Sequence, residues 1–207
     1  MRSVPRLPVL TMALASGAVD AFTFLSLGQV FTSNMTGNLV LLGVSASRGR
    51  FADAVGSLVA FVAFTCGLVL AFRFTRGVRG WAVRTRLTVA AEAGLLAGLL
   101  TGWALAGPQL VLIAAAALAM GMQSAVTHRL HTFIGSTTFI TGALTSTIAR
   151  HLTPGTGPPH GPELVAVLGA LVLGAAGGTL LVVLLPLAAP ALALLAVTVT
   201  LVASAYA

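Results

Sequence analysis

The stretch GAVDAFTFLSLGQVFTSNMTGNLVLLG, residues 17–43, decides how this chain is read. It sets Asp20 inside an apolar run and follows that run with the polar, glycine-broken SNMTGN of residues 33–38. An acid in hydrocarbon costs at least about 2.5 kcal/mol, so it demands a partner or a wet cavity and marks a functional site. The rest of the chain supplies the hydrocarbon. Of 207 residues, 57% are apolar and 7% charged, with a mean hydropathy of +1.03, which excludes an ordinary soluble domain. Apolar runs able to cross about 30 Å as helices occupy residues 8–27, 54–72, 87–105, 109–126, 164–185 and 187–205. Two further runs, residues 35–44 and 138–149, are too short to span.

The arginines arbitrate what the short runs do. All eleven basic residues are Arg: Arg2, Arg6, Arg48, Arg50, the five from Arg73 to Arg86, Arg129 and Arg150. If both short runs crossed, the basic bias would nearly vanish. If both dip in and return, nine arginines share one face with the two termini, and Arg48 and Arg50 lie on the other. The positive-inside tendency then predicts an inner-membrane, multi-pass protein with both termini cytoplasmic. The net charge of +7 is mostly this topology signal and implies no nucleic-acid partner. Arg2 and Arg6 ahead of an apolar stretch imitate a secretory signal, but apolarity continues past the small residues 13–15, so the segment reads as an uncleaved first span. The lone Cys66 permits no intrachain disulfide and reads as core packing.

A long, short, long, long pattern occurs twice, in units of about residues 7–106 and 108–206, at an offset near 104. Gly17 and Ala21 match Gly121 and Ala125, and with one residue inserted Thr36 and Gly37 match Thr141 and Gly142. Three spans per unit make the second unit inverted relative to the first, a form used by transporters and channels. The expected fold is therefore all-α in the membrane: six transmembrane helices plus two re-entrant half-helices in an inverted 3+3 repeat, filling residues 1–207 as one domain. Glycines at Gly94, Gly98 and Gly102, and at Gly169, Gly174, Gly177 and Gly178, predict close helix packing and permit a homodimer. The hydrophilic residues 153–162 form a loop and mark no domain boundary.

The string G-x-V-D-A-x-x-F-L-x-L-G-x-V-F-x-x-x-M-T-G-N, carried by Gly17, Val19, Asp20, Ala21, Phe24, Leu25, Leu27, Gly28, Val30, Phe31, Met35, Thr36, Gly37 and Asn38, resembles the signature of the YoaK-like family of bacterial integral membrane proteins of unknown function. The resemblance implies a polytopic inner-membrane protein. It supplies neither substrate nor catalytic residues.

Function is therefore read from the polar groups. On a helix, Ser16, Asp20 and Thr23 share a face and run a polar stripe into the bundle, where Asp20 can exchange a proton or hold a cation. Asn34 or Ser33 caps a helix start, Gly37 permits close approach, and Thr36 and Asn38 offer hydrogen-bonding groups at the midplane. Ser136, Thr137, Thr138 and Thr141 are the hydroxyl-rich counterpart in the second half. Two helix N-termini entering from opposite faces would aim amides at a common point, a site for an anion or a carboxylate. Ser124, His128 and Arg129 stand where the second half repeats the Asp20 region, with Gln123, Thr127 and His131 nearby; Arg129 could pair with Asp20 or with substrate, or snorkel to the interface. His128 and His131 are no metal site, because no acidic ligand accompanies them. Glu92, about a turn inside its span, is expected to reach the surface. The expected function is a secondary transporter or channel for a small anionic or zwitterionic solute, with the lipid bilayer and that solute as partners and no cofactor. An intramembrane hydrolase using Ser136 with His131 or His128 is the rival, without a G-x-S-x-G turn to support it. A purely structural membrane protein would leave Asp20 unexplained.

Overall fold

The computed structural model describes residues 6–78, 80–130, 140–153 and 161–206. They form α1 (Arg6–Ser26), α2 (Met35–Ser47), α3 (Phe51–Phe74), α4 (Val83–Ala104), α5 (Gln109–Arg129), α6 (Ile140–Leu152), α7 (Gly161–Leu184) and α8 (Ala191–Ser204), with a 3-10 turn at Pro186–Ala188 leading into α8. Among the described residues six helices are long and apolar enough to cross a membrane, the last taken with its 3-10 turn as Pro186–Ser204. With 13 residues each, α2 and α6 reach only about 20 Å. Each helix continues three residues past the C-terminal end of its apolar run, to Ser47 in α2 and to Leu152 in α6. Large exposed side chains such as Val172, Leu173, Leu180 and Val183 coat α7, as lipid-facing residues should.

A few contacts fix the directions of the helices. Gln123 Nε2 donates to the Met12 carbonyl at 3.1 Å, and at the other end a Cβ on Gly28 would stand 2.7 Å from Gln109 Nε2, so α1 and α5 run antiparallel. The same register sets Ser16 level with Met120. Thr11 and Thr200 share a hydrogen bond of 2.6 Å, which brings the start of α1 beside the end of α8. Arg129 donates to the Phe72 carbonyl at 3.4 Å, joining the ends of α5 and α3. These ends define a first face. On the second face, Trp103 Nε1 donates to the Pro186 carbonyl at 2.7 Å, and Val30 and Ile113 pack on Gly56. The Arg48–Gly49–Arg50 turn lies there too, and Arg50 is offset by Asp53 at 2.6 Å.

Two helix crossings bring backbones into contact. In one, Gly17 of α1 lies on the Leu171 carbonyl of α7 while Gly174 and Gly178 lie on the Leu14 and Ala18 carbonyls. In the other, Gly121 of α5 lies on the Phe64 carbonyl of α3 while Gly67 lies on the Leu118 carbonyl. Any Cβ at Gly17, Gly67, Gly121 or Gly174 would collide with those backbone atoms, so only glycine lets the helices approach. The glycine ladder expected on α4 does not behave this way. Gly94 and Gly98 face open space, and Gly102 alone of the three packs, against Leu112 at the α4–α5 turn. Their four-residue repeat lies on the outward side of α4, where spacing by itself creates no neighbour.

Candidate functional site

The site begins where α1 ends. Gly28 and Gln29 both take positive φ, 86° and 59°, and this reverses the chain against the helix it has just left. Phe31 then stacks on Phe24 with ring centroids 5.0 Å apart, and the backbone runs back alongside α1 until Ser33 reaches the depth of Ser16. Here α2 begins. A non-helical backbone among apolar helices has no helical partners for its amides, and each one left buried and unpaired costs about 1–3 kcal/mol.

Side chains on both flanks supply those partners. Asp20 Oδ1 accepts from the Thr32 amide at 2.7 Å, the Thr32 hydroxyl at 2.9 Å and the Ser33 amide at 2.8 Å, and Oδ2 accepts from the Ser33 hydroxyl at 2.6 Å. Ser16 donates to Ser33 Oγ at 2.8 Å. From the other side Asn38 takes the Phe31 amide on Oδ1 at 2.9 Å and gives Nδ2 to the Phe31 carbonyl, as a neighbouring strand would. Asn34 caps α2 by accepting from the Gly37 amide at 3.2 Å. Thr23 turns its hydroxyl to the Val19 and Asp20 carbonyls, at 3.0 and 3.3 Å, and so stiffens the turn of helix that carries Asp20. The acid is a clamp on the returning chain. Beyond that chain, a cleft of about 350 Å³ opens on the second face, lined by Leu27, Gly28, Val30, Asp53, Gly56 and Gln109 among others.

The structure thus brings Ser16, Asp20, Asn34, Gly37 and Asn38 into one cluster with Thr23 behind them, while Thr36 is exposed on the first turn of α2. Ser124 is buried and lies on the first-face side of Met120, about 12 Å along the helix axis from the level of Asp20 by the α1–α5 register. Arg129 does not reach Asp20. Its guanidinium sits 5.3 Å from the centre of the Phe72 ring at the first face, and His128 packs edge-on against the same ring, so a pairing of Arg129 with Asp20 is overturned. Both side chains therefore pack on one ring at the first-face end of α5. Thr141 is exposed on α6 and gives no inward-facing group. Ser136, Thr137, Thr138 and His131 lie outside the described residues.

One buried acid escaped the sequence reading. Glu92, expected at the surface, is fully buried, and neither carboxylate oxygen has a hydrogen-bond partner among the described residues. Thr85, Thr88, Glu92, Leu96 and Leu99 all fall on the buried face of α4, so the helix turns its one acid inward. The spacing of Thr85, Thr88 and Glu92 at i, i+3 and i+7 is the signal that could have revealed it.

Comparison with known proteins agrees with a membrane-spanning chain. The family model described as "Protein of unknown function (DUF1275)" matches residues 9–205. The UPF0700 transmembrane protein YoaK of Bacillus subtilis (strain 168) is 33% identical over 139 residues, which are 65% of this chain and 62% of that protein, so the match spans less than two thirds of its length. No solved structure matches.

Proposed function

The chain belongs to the DUF1275 family of proteins of unknown function, and from that premise we propose that this multi-pass membrane protein is a secondary transporter or channel for a small anionic or zwitterionic solute. The observation that carries the proposal is the non-helical segment of residues 28–34, which returns to the depth of Ser16 and opens toward a cleft on the second face. Irregular backbone at membrane depth is tolerated where it is buried in protein or lines a cavity, and in transporters such breaks form the substrate site. In this reading α2 and α6 are half-helices of re-entrant segments. The exposed first turn of α2, with Asn34 and Thr36, presents the positive end of a helix dipole to the solute's negative group.

The halves form an inverted repeat in this account, and the glycine crossings support it. Leu14, Gly17 and Leu118, Gly121 differ by 104, and their partners Leu171, Gly174 and Phe64, Gly67 differ by 107, so the α1–α7 and α5–α3 crossings have the same construction. The antiparallel register of α1 and α5 supports inversion. The approximate two-fold passes between Ser16 and Met120. The arginine bias assigns the first face, with both termini, to the cytoplasm of the inner membrane.

Asp20 couples flux to a proton or cation. Its ionised carboxylate accepts all four bonds from Thr32 and Ser33; a proton on Oδ1 would compete with three of those donors and loosen the segment from α1. The test is uptake into proteoliposomes of small carboxylates, amino acids and inorganic anions, with and without an imposed pH gradient. We expect at least one to enter in a saturable, gradient-dependent manner, and Asp20→Asn to remain monodisperse while losing at least about tenfold in rate. Unchanged gradient-dependent flux in Asp20→Asn would refute the coupling role.

A further inference from the structure

Glu92 is fully buried midway along α4, and neither of its carboxylate oxygens has a hydrogen-bond partner among the described residues. Ten residues separate it from Gly102, which packs on Leu112 at the α4–α5 turn, so the antiparallel register places it level with Met122 and Gln123. That is only about 4 Å toward the first face from the Ser16–Met120 level. Gln123 is also buried; its Nε2 is given to the Met12 carbonyl, and its Oε1 has no partner among the described residues. Below Glu92 on the same helical face lie Thr88 and Thr85, both buried, whose hydroxyl protons go to the Arg84 carbonyl at 2.8 Å and the Gly80 carbonyl at 2.9 Å. With those protons committed, each hydroxyl oxygen retains lone pairs and can only accept. The result is a file about 10 Å long, from the first-face end of α4 to its middle, that offers acceptors and no charge to balance Glu92.

The charged groups around it do not supply that balance. Among the described residues α8 carries no titratable side chain, and α5 carries His128 and Arg129 at its first-face end, engaged with Phe72. On α3 lie Asp53 paired with Arg50, Cys66 exposed, and Arg73 at the end. Touching α4 through Phe22 on Trp103, α1 carries Asp20, which is engaged by Thr32 and Ser33, and Arg6 at its start. On α4 itself Arg84 is exposed, and Arg86, half-buried, keeps its Nε unpartnered and makes no ion pair with Glu92 among the described residues. A buried carboxylate without a partner is strongly unfavourable, so the site is built to be occupied.

We propose that Glu92, with Gln123 Oε1 beside its level and Thr88 and Thr85 as the approach, is a binding site for a small monovalent cation, a proton or sodium, loaded from the face that carries both termini. The site deepens the transport reading by giving the protein a cation store separate from the Asp20 clamp, yet it can be measured without any flux. Full-length protein in nanodiscs would be studied by infrared difference spectroscopy for the carbonyl stretch of a buried protonated acid, and by thermal unfolding in sodium chloride against choline chloride across pH 5 to 9. A proton site gives a protonated-acid band that is present in wild type and in Asp20→Asn, absent in Glu92→Gln and indifferent to sodium. A sodium site gives an unfolding midpoint that rises with sodium in wild type and not in Glu92→Gln. Thr88→Val slows loading in either case. Should Glu92→Gln fail to fold, the wild-type band and sodium response, unaltered by Asp20→Asn, still decide. Absence of both signals from wild type, or their persistence in Glu92→Gln, overturns the proposal whether or not transport is found.

Discussion

Replacing Asp20 with alanine is expected to cost about 3–5 kcal/mol, because the truncation strands the Thr32 and Ser33 amides in an apolar setting as well as removing a charged acceptor. The four bonds tie residues separated by 12 and 13 positions, so their loss frees the whole return segment and with it the start of α2. Asparagine behaves differently. Its Oδ1 retains the three bonds now made to Asp20 Oδ1, and its Nδ2 donates to Ser33 Oγ, which reverses the fourth; the expected cost is about 1 kcal/mol. Unfolding midpoints of the two variants in the same detergent separate clamp from charge. Equal midpoints for wild type and Asp20→Ala would remove the clamp from the account.

The second large effect is at the helix crossings. Gly121→Ala and Gly17→Ala each place a Cβ against a backbone carbonyl that cannot rotate away, Phe64 and Leu171 respectively, so the helices must part along their length. Overpacking of this kind costs about 1–3 kcal/mol where side chains yield, and a rigid carbonyl puts these two at the upper end or beyond. Because the two crossings have the same construction, the two variants should lose stability by similar amounts. Gly94→Ala and Gly98→Ala meet nothing within 4 Å and should be neutral or slightly stabilising, since alanine is the better helix former. A loss confined to one crossing would argue against their equivalence.

The spans were legible in the sequence because hydropathy over about twenty residues needs no knowledge of neighbours. Gly17 and Gly121 also stood out as a matched pair, and each proves to sit at a crossing. What hydropathy could not show is which side of an apolar helix faces inward. In a bilayer the inward and lipid faces of a helix are both apolar, so the amphipathic signal that betrays burial in soluble proteins is faint. Hence Gly94 and Gly98 passed for packing residues and Glu92 for a surface group, although the threonines at Thr85 and Thr88 mark the buried face of α4. Asp20 and Asn38 were singled out as polar groups of the site, but the hydrogen bonds they make were hidden. Their partners become visible only once Gly28 and Gln29 reverse the chain and bring Phe31, Thr32 and Ser33 between them.

In the transport reading proposed above, residues 28–50 return to the face they left instead of crossing, and that path is its central claim. Single cysteines at Ser47 and Gly77 in a Cys66→Ala background, labelled in intact cells with an impermeant thiol reagent, test this directly. Ser47 should react from outside, and Gly77, in the arginine-rich α3–α4 connection, only after permeabilisation. Labelling of Gly77 from outside with Ser47 protected would mean that α2 crosses the membrane, that the halves are parallel, and that the return segment held by Asp20 is no part of a transport site.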